Sequence, residues 1–161
     1  MAYSRSEKRT AISKLVTNSP GRVGIVVAKW HSDITDKLLR DAVHTLQNGG
    51  IPQKSIIISR VPGCFEIPAA ALWMKHSRKP DAVICLGCII KGETPHFHFI
   101  SQAVSHGIME LNLKHNIPFI FGVLTTNTLK QAEQRSGGKT GNKGAEAAQA
   151  AIDMMNLKNR R

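Results

Sequence analysis

Acid is scarce in this chain: 11 Asp and Glu stand against 22 Lys and Arg, a formal charge of +11 over 161 residues. Aromatics are only 5%. None interleaves with the basic clusters at the two ends: Arg5, Lys8, Arg9, Lys14 and Arg22 at one, Lys130, Arg135, Lys139, Lys143, Lys158, Arg160 and Arg161 at the other. A base-stacking groove wants that interleaving. The charge therefore reads as solvated tails plus a few cations for a small anionic substrate, with no nucleic-acid partner expected. Cysteine is also sparse, and an odd count of three argues against a disulfide framework. Cys85 and Cys88 have CxxC spacing, but residues three apart in a strand point to opposite faces and cannot grip one ion. His96 and His98 do not share a helix face, and no HExxH occurs, so no metal is expected. A dinucleotide-binding glycine fingerprint and a P-loop are both missing, which disfavours nicotinamide cofactors and nucleotide hydrolysis. No apolar run approaches the roughly 20 residues of a membrane span. The N-terminal stretch lacks an apolar segment of signal-peptide length. The expectation is a cytoplasmic protein with no membrane partner.

What is present points to one domain. Hydrophobic residues are 42% and charged residues 20%, a globular balance in a chain long enough for a proper core. Apolar runs predict strands at Arg22–Lys29, Ser55–Val61, Asp81–Ile90 and Pro118–Thr126. Between them lie predicted helices: one capped by Ser32 or Asp33 and running to about Asn48, a second over Ile67–Ser77, a third from His96 to about His115. A short helix over Thr128–Arg135, a glycine-rich turn at Ser136–Gly144 and a last helix to Leu157 complete the chain. Strand and helix alternate, and the nearly all-apolar strands suit a sheet covered on both faces. The fold class expected is α/β, a doubly wound three-layer α/β/α domain on a four-stranded parallel sheet. Residues 1–21 read as a basic tail and 22–161 as the domain.

The stretch Cys85–Phe99, CLGCIIKGETPHFHF, organises the rest. A buried strand delivers a glycine turn, then Thr94 as N-cap and Pro95 at the first helical position, then His96. Free amides there favour an anion, and an imidazole beside it suits a proton shuttle. Taken alone, the stretch is better read as an ordinary strand–turn–helix with a surface histidine. Ligands in such sheets, however, bind beyond the carboxyl ends of the strands. Trp30-His31, then Gly63-Cys64-Phe65-Glu66, then Lys91–Thr94 with His96, then Thr125-Thr126 all fall there. That convergence favours a site.

Four blocks carry a resemblance: VPGCFEIP at Val61–Pro68, GCIIKGETPHF at Gly87–Phe97, FGVLTTNT at Phe121–Thr128 and QRSGGKTGNKGAEAA at Gln134–Ala148. Together they resemble the lumazine synthase family of riboflavin biosynthesis, over about Arg22 to the last helix. The resemblance implies a flavodoxin-like fold and a transferase. It would condense a ribitylamino-aminouracil with a dihydroxybutanone phosphate to 6,7-dimethyl-8-ribityllumazine, releasing phosphate and water, with no cofactor. It implies that Trp30 stacks on the pyrimidine. Cys64, Phe65, Glu66, Cys88, Ile89 and Ile90 would bind the pyrimidine and ribityl chain, Glu93 and Thr94 the phosphate, and His96 would transfer protons. It implies further that Phe121, Arg135 and Lys143 arrive across a subunit contact, Arg135 as phosphate clamp. Pentamers follow, in some members closed into icosahedral shells, with riboflavin synthase as a candidate partner. Trp30-His31 stands where many members carry Phe-Asn, and Cys64 where Ala or Ser is frequent. The alternative is a catalytically idle relative that stores flavin on Trp30. The retained His96 and Arg135 argue against it, because storage needs neither.

Overall fold

The computed structural model describes residues 13–16 and 21–159. Arg5, Lys8, Arg9, Arg160 and Arg161 lie outside the described residues. β1 (Val23–Ala28) is buried at every position. It pairs in parallel with β2 (Ile56–Val61) on one side and with β3 (Ala82–Ile90) on the other, and β3 pairs in parallel with β4 (Phe119–Thr126). The order is β2-β1-β3-β4. The chain thus winds from β1 outward to β2, crosses back to β3 and continues to β4. The crevice between the carboxyl ends of β1 and β3 is the switch point where such sheets bind ligands. Edge strand β2 has an alternating burial pattern, with Ile58 and Arg60 exposed, as a half-covered strand should.

Five helices are described: α1 (Ser32–Asn48), α2 (Ile67–Arg78), α3 (His96–Lys114), α4 (Leu129–Arg135) and α5 (Lys143–Asn159). Alternate residues of each strand enter different cores. Val23, Ile25 and Val27 pack with α1, α4 and α5; Val26 and Ala28 pack with α2 and α3. This is the three-layer, flavodoxin-like arrangement expected. Cys88 joins the first core and Cys85 the second, the separation that the strand period requires.

The helix ends depart from expectation. Neither Ser32 nor Asp33 caps α1. His31 is the N-cap, left-handed at φ 56°, ψ 48°, and its carbonyl accepts from Ile34 and Thr35 N–H at 2.9 Å each. Left-handed backbone is uncommon outside glycine, though histidine is among the residues enriched there. Thr94 does not cap α3 either. Pro95 occupies the N-cap, and no side chain bonds to the helix start. Thr128 does cap α4, its Oγ1 accepting from Gln131 N–H at 3.2 Å. The glycine-rich turn is a small antiparallel hairpin of β5 (Ser136–Gly138) and β6 (Gly141–Asn142), and α5 starts at Lys143. The Asn142 side chain sets that start: Oδ1 accepts from Gly144 N–H at 2.8 Å while Nδ2 donates to Asp41 Oδ2 at 2.8 Å.

Residues 13–16, within the segment assigned to a tail, run along the α1/α5 layer. Ser13 N–H donates to Gln149 Oε1 at 3.0 Å, Leu15 N–H to the Gly49 carbonyl at 2.9 Å, and Val16 N–H to Asn156 Oδ1 at 2.8 Å.

Candidate functional site

Two backbone bonds carry the β1–β2 ladder past its last residues. Lys29 N–H donates to the Val61 carbonyl at 2.8 Å and Trp30 N–H to the Pro62 carbonyl at 3.2 Å. They set the indole over Gly63, where a Cβ would stand 2.9 Å from Trp30 Cε3 and 3.0 Å from Cζ3. The glycine is therefore a shelf for the ring, and any side chain would lift it. Glu66 folds back to the same turn, Oε2 accepting from Gly63 N–H at 2.9 Å. Its carboxylate braces the shelf and makes no cap bond to α2. Trp30 and Phe65 are 66% and 60% exposed, so two aromatic rings stand open at the sheet's carboxyl edge.

Cys64 points down from this turn. Its thiol donates to the Cys88 carbonyl at 3.7 Å, in room left by the missing side chain of Gly87. Ile89 and Ile90 follow, half-buried, at the end of β3. Lys91 N–H then donates to the Thr126 carbonyl at 2.8 Å, extending the β3–β4 ladder into the turn. Gly92, Glu93 and Thr94 are exposed, and nothing lies within 4 Å of a Cβ placed on Gly92. His96 opens α3, where the first amides have no intrahelical acceptor. Together these elements make an aromatic platform, a carboxylate, an amide-lined turn and an imidazole along one edge.

The thiols are inert. Burial pushes Cys85 up to about 12. Cys64 rises to about 11, mainly through burial with Glu66 adding and the Cys88 carbonyl opposing. Cys88 rises to about 12, through burial and then Cys64. At neutral pH none offers a thiolate nucleophile. A raised thiol pKa stabilises the fold below the unfolded value and that stability is lost as pH rises. The melting temperature should therefore fall as pH climbs from about 9 toward 12. Cys85→Ala, read by thermal melts across that range, should flatten the fall; an unchanged slope would remove the thiols as its cause.

Of the other sequence-derived site residues, Phe121 is not at this edge, and Arg135 and Lys143 belong to the helix layer across the sheet from α3. Phe121 pairs with Cys85, whereas the end of β3, Ile90, pairs with Thr126. Five strand positions place Phe121 roughly 16 Å back from the edge, 45% exposed on the outer strand of the sheet. Arg135 ends α4 in the other helix layer, its Nη1 donating to the Gln131 carbonyl at 3.0 Å. Lys143 begins α5 in that same layer and pairs with Glu146. α4 and α3, which carry Arg135 and His96, pack on opposite faces of the sheet.

Sequence reasoning placed Gly63 at this edge and Gly87 in a family block but gave neither a role. Both allow a close approach, and the clue was a glycine directly before Cys64 and another directly before Cys88. An open groove of about 430 Å³ lies between α1 and β2, floored by Leu39, Val43 and Ile58; none of the residues above lines it. Among the described residues no three His, Cys, Asp or Glu side chains gather as a metal site would need.

Comparison with known proteins gives consistent findings. A family model described as 6,7-dimethyl-8-ribityllumazine synthase matches residues 20–159. A protein of that name from Cytophaga hutchinsonii is 51% identical over 153 residues, covering 94% of this chain and 96% of the relative. Another, from Parabacteroides distasonis, is 51% identical over 135 residues, 84% of each chain. A third, from Porphyromonas gingivalis, is 48% identical over 136 residues, again 84% of each.

Proposed function

This chain belongs to the 6,7-dimethyl-8-ribityllumazine synthase family, and from that premise we propose how its own residues divide the reaction. It is an enzyme, a transferase of riboflavin biosynthesis that forms 6,7-dimethyl-8-ribityllumazine. The ribitylamino-aminouracil lies on Trp30, held by Cys64, Phe65 and the backbone of Cys88–Ile90, with Glu66 accepting from ribityl hydroxyls. Its amine adds to the ketone of the dihydroxybutanone phosphate and loses water to give an imine. Loss of a carbon-bound proton and cleavage of the C–O bond release phosphate. The ribitylamino nitrogen closes the ring with loss of further water. His96 moves the protons. The phosphate sits at Glu93-Thr94 against the α3 amides, clamped by Arg135 of an adjoining subunit, whose Phe121 and Lys143 cover the rings. A guanidinium suits a bidentate grip on a leaving anion.

The observation that carries this reading is the gathering of Trp30, Gly63–Glu66, Cys88–Ile90 and His96 along one sheet edge, with Arg135 held in the opposite layer. Two half-sites on one chain call for a second copy, and we assign a homo-pentamer with sites at its seams. The outer face of α3 supports this. Phe99, Met109 and Leu113 are exposed there at spacings that put them on one helical stripe, an apolar seam with nothing over it in the lone chain. Residues 22–161 are the synthase domain and 1–21 an appended basic tail. A cytoplasmic location and riboflavin synthase as working partner complete the reading.

The direct test mixes the purified protein with both substrates and follows lumazine fluorescence. Product should form well above the uncatalysed rate; none above it overturns the reading. Quenching of Trp30 by riboflavin in a Trp73→Phe background, without condensation, would instead mark a flavin-storing relative. Gly63→Ala tests the platform. The added methyl should displace the indole and raise KM for the pyrimidine about fivefold, an offset of about 1 kcal/mol. Steady-state kinetics should show kcat and the KM of the phosphate substrate nearly unchanged.

A further inference from the structure

On the proposed reading Arg135 and Lys143 both serve an adjoining subunit, so their placement relative to each other matters. Arg135 is the last residue of α4 and Lys143 the first of α5. The β5–β6 hairpin that joins them holds three glycines, and Gly137 and Gly141 have φ of 115° and 86°. Glycine brings conformational freedom, not stiffness. Ties outside the hairpin's own backbone must therefore fix the spacing of the two cations.

On one side the hairpin is tied to α4. Thr140 N–H and Oγ1 both donate to the Gln134 carbonyl, at 3.1 and 2.6 Å. A Cβ on Gly138 would stand 2.7 Å from Gln134 Cα, so the hairpin lies flat against the last turn before Arg135. On the other side a single side chain makes the tie. Asn142 stands directly before Lys143 and, across the ladder, opposite Ser136, the residue directly after Arg135. Its Oδ1 accepts from Gly144 N–H at 2.8 Å and Ala145 N–H at 3.3 Å. Its Nδ2 donates to Asp41 Oδ2 on α1 at 2.8 Å and reaches the Lys37 carbonyl at 3.4 Å. The other Asp41 oxygen accepts from Arg40 Nε at 3.1 Å.

Starting α5 does not explain this residue. A helix start needs only an acceptor, and serine or aspartate supplies one as well as asparagine does. The Nδ2 donor serves α1 alone, and a bond to a carboxylate is stronger than one between neutral groups. We propose that Asn142 and Asp41 are positioning residues for the phosphate substrate, their amide–carboxylate bond holding Arg135 and Lys143 at a fixed place relative to α1. The proposal rests on the reading of Arg135 as the phosphate clamp. Neither Asn142 nor Asp41 is assigned to the substrate; each acts through the two cations. A clamp set in place beforehand loses no binding energy to ordering when the anion arrives.

The test is steady-state kinetics on the full chain in its native assembly, with melting curves to show each variant folded at the assay temperature. Asn142→Asp keeps the acceptor for Gly144 N–H but sets a carboxylate against Asp41. KM for the phosphate substrate should rise about tenfold, because a slightly misplaced group loses much of its effect, and kcat should change less. Asp41→Asn alone leaves an oxygen for Nδ2 and should stay within about twofold of the parent. Combining the two turns the bond round, the new amide donating to the new carboxylate, and parental KM should return. Arg40→Gln, which removes only an exposed ion pair, should change nothing. If Asn142→Asp does not assemble, Asn142→Ser carries the same expectation, since its hydroxyl caps α5 but is too short to reach Asp41. Parental KM in the single variant, or a folded double variant left as impaired as the single, would overturn the proposal. Arg135→Ala, run alongside, separates it from the reading beneath. A raised KM there with parental KM in Asn142→Asp overturns the positioning pair alone; parental KM in both overturns the clamp with it.

Discussion

Subunits carrying His96→Ala and subunits carrying Arg135→Ala, each nearly inactive alone, should recover activity when co-expressed. On the proposed reading His96→Ala removes the proton carrier, and loss of a positioned acid–base group costs roughly 10²-fold. On the same reading Arg135→Ala removes fixed charge from a departing phosphate, a loss of roughly 10²- to 10³-fold. Within one chain the two residues belong to opposite helix layers, His96 opening α3 and Arg135 closing α4. On the proposed reading, a complete site draws them from neighbours. In a ring built on a heterologous contact, each seam takes one residue from each side. At equal mixing about one seam in four pairs an intact His96 with an intact Arg135, so about a quarter of parental activity should return. Lumazine formation by the co-expressed protein, against either variant alone, measures it. A mixture as inactive as its components would refute the shared seam. Full parental KM for the phosphate substrate in Arg135→Ala would remove that residue from the site altogether.

That division could not be read from periodicity. Strands β1 and β3 were legible because each is an apolar run buried on both faces, β4 because its run is apolar though partly exposed at the sheet's edge, and α1 because Ile34, Leu38, Ala42 and Leu46 repeat on one side. The gathering of Trp30, Cys64–Glu66 and His96 at one edge was legible because a parallel sheet sends every strand's carboxyl end to the same side. What stayed hidden depends on contacts far apart in sequence or on backbone that propensity ranks low. Ser32 and Asp33 are better cap residues than His31, yet the chain turns through a left-handed His31. Glycine-rich Ser136–Gly144 has no hydrophobic period to announce a hairpin. It is held to α1 by Asn142 bonding to Asp41, 101 residues away. Leu15 and Val16 dock on α1 and α5 through Gly49 and Asn156, partners that no local pattern in a polar, basic segment reveals. The blocks that identify the family include this unreadable hairpin. Resemblance therefore pointed to Arg135 and Lys143 where physics alone gave them no site.

Gly144→Ala should cost more stability than any other single methyl addition near the site. A Cβ at Gly144 would fall on the Leu38 carbonyl, with Leu38 C at 2.6 Å and Cα at 2.7 Å. These are backbone atoms of a buried helix, so no side chain can swing aside. The contact is the closest point of the α1–α5 packing, where Gly144, Ala147, Ala148 and Ala151 form a buried strip of small residues. Forcing extra volume into a packed interior costs about 1–3 kcal/mol where side chains can adjust. With backbone on one side, about 3 kcal/mol or more is expected, lowering the melting temperature by roughly 10 °C for a chain of this size. Gly92→Ala, with nothing within 4 Å, is the control and should melt like the parent at equal protein concentration. Lys143 precedes Gly144, and the hairpin behind it leads back to Arg135. On the proposed reading, pushing α5 off α1 should also displace Arg135 and Lys143 from the shared site, so residual activity should fall even below the melting transition. Equal melting temperatures for Gly144→Ala and Gly92→Ala would show that α1 and α5 do not meet this closely in solution.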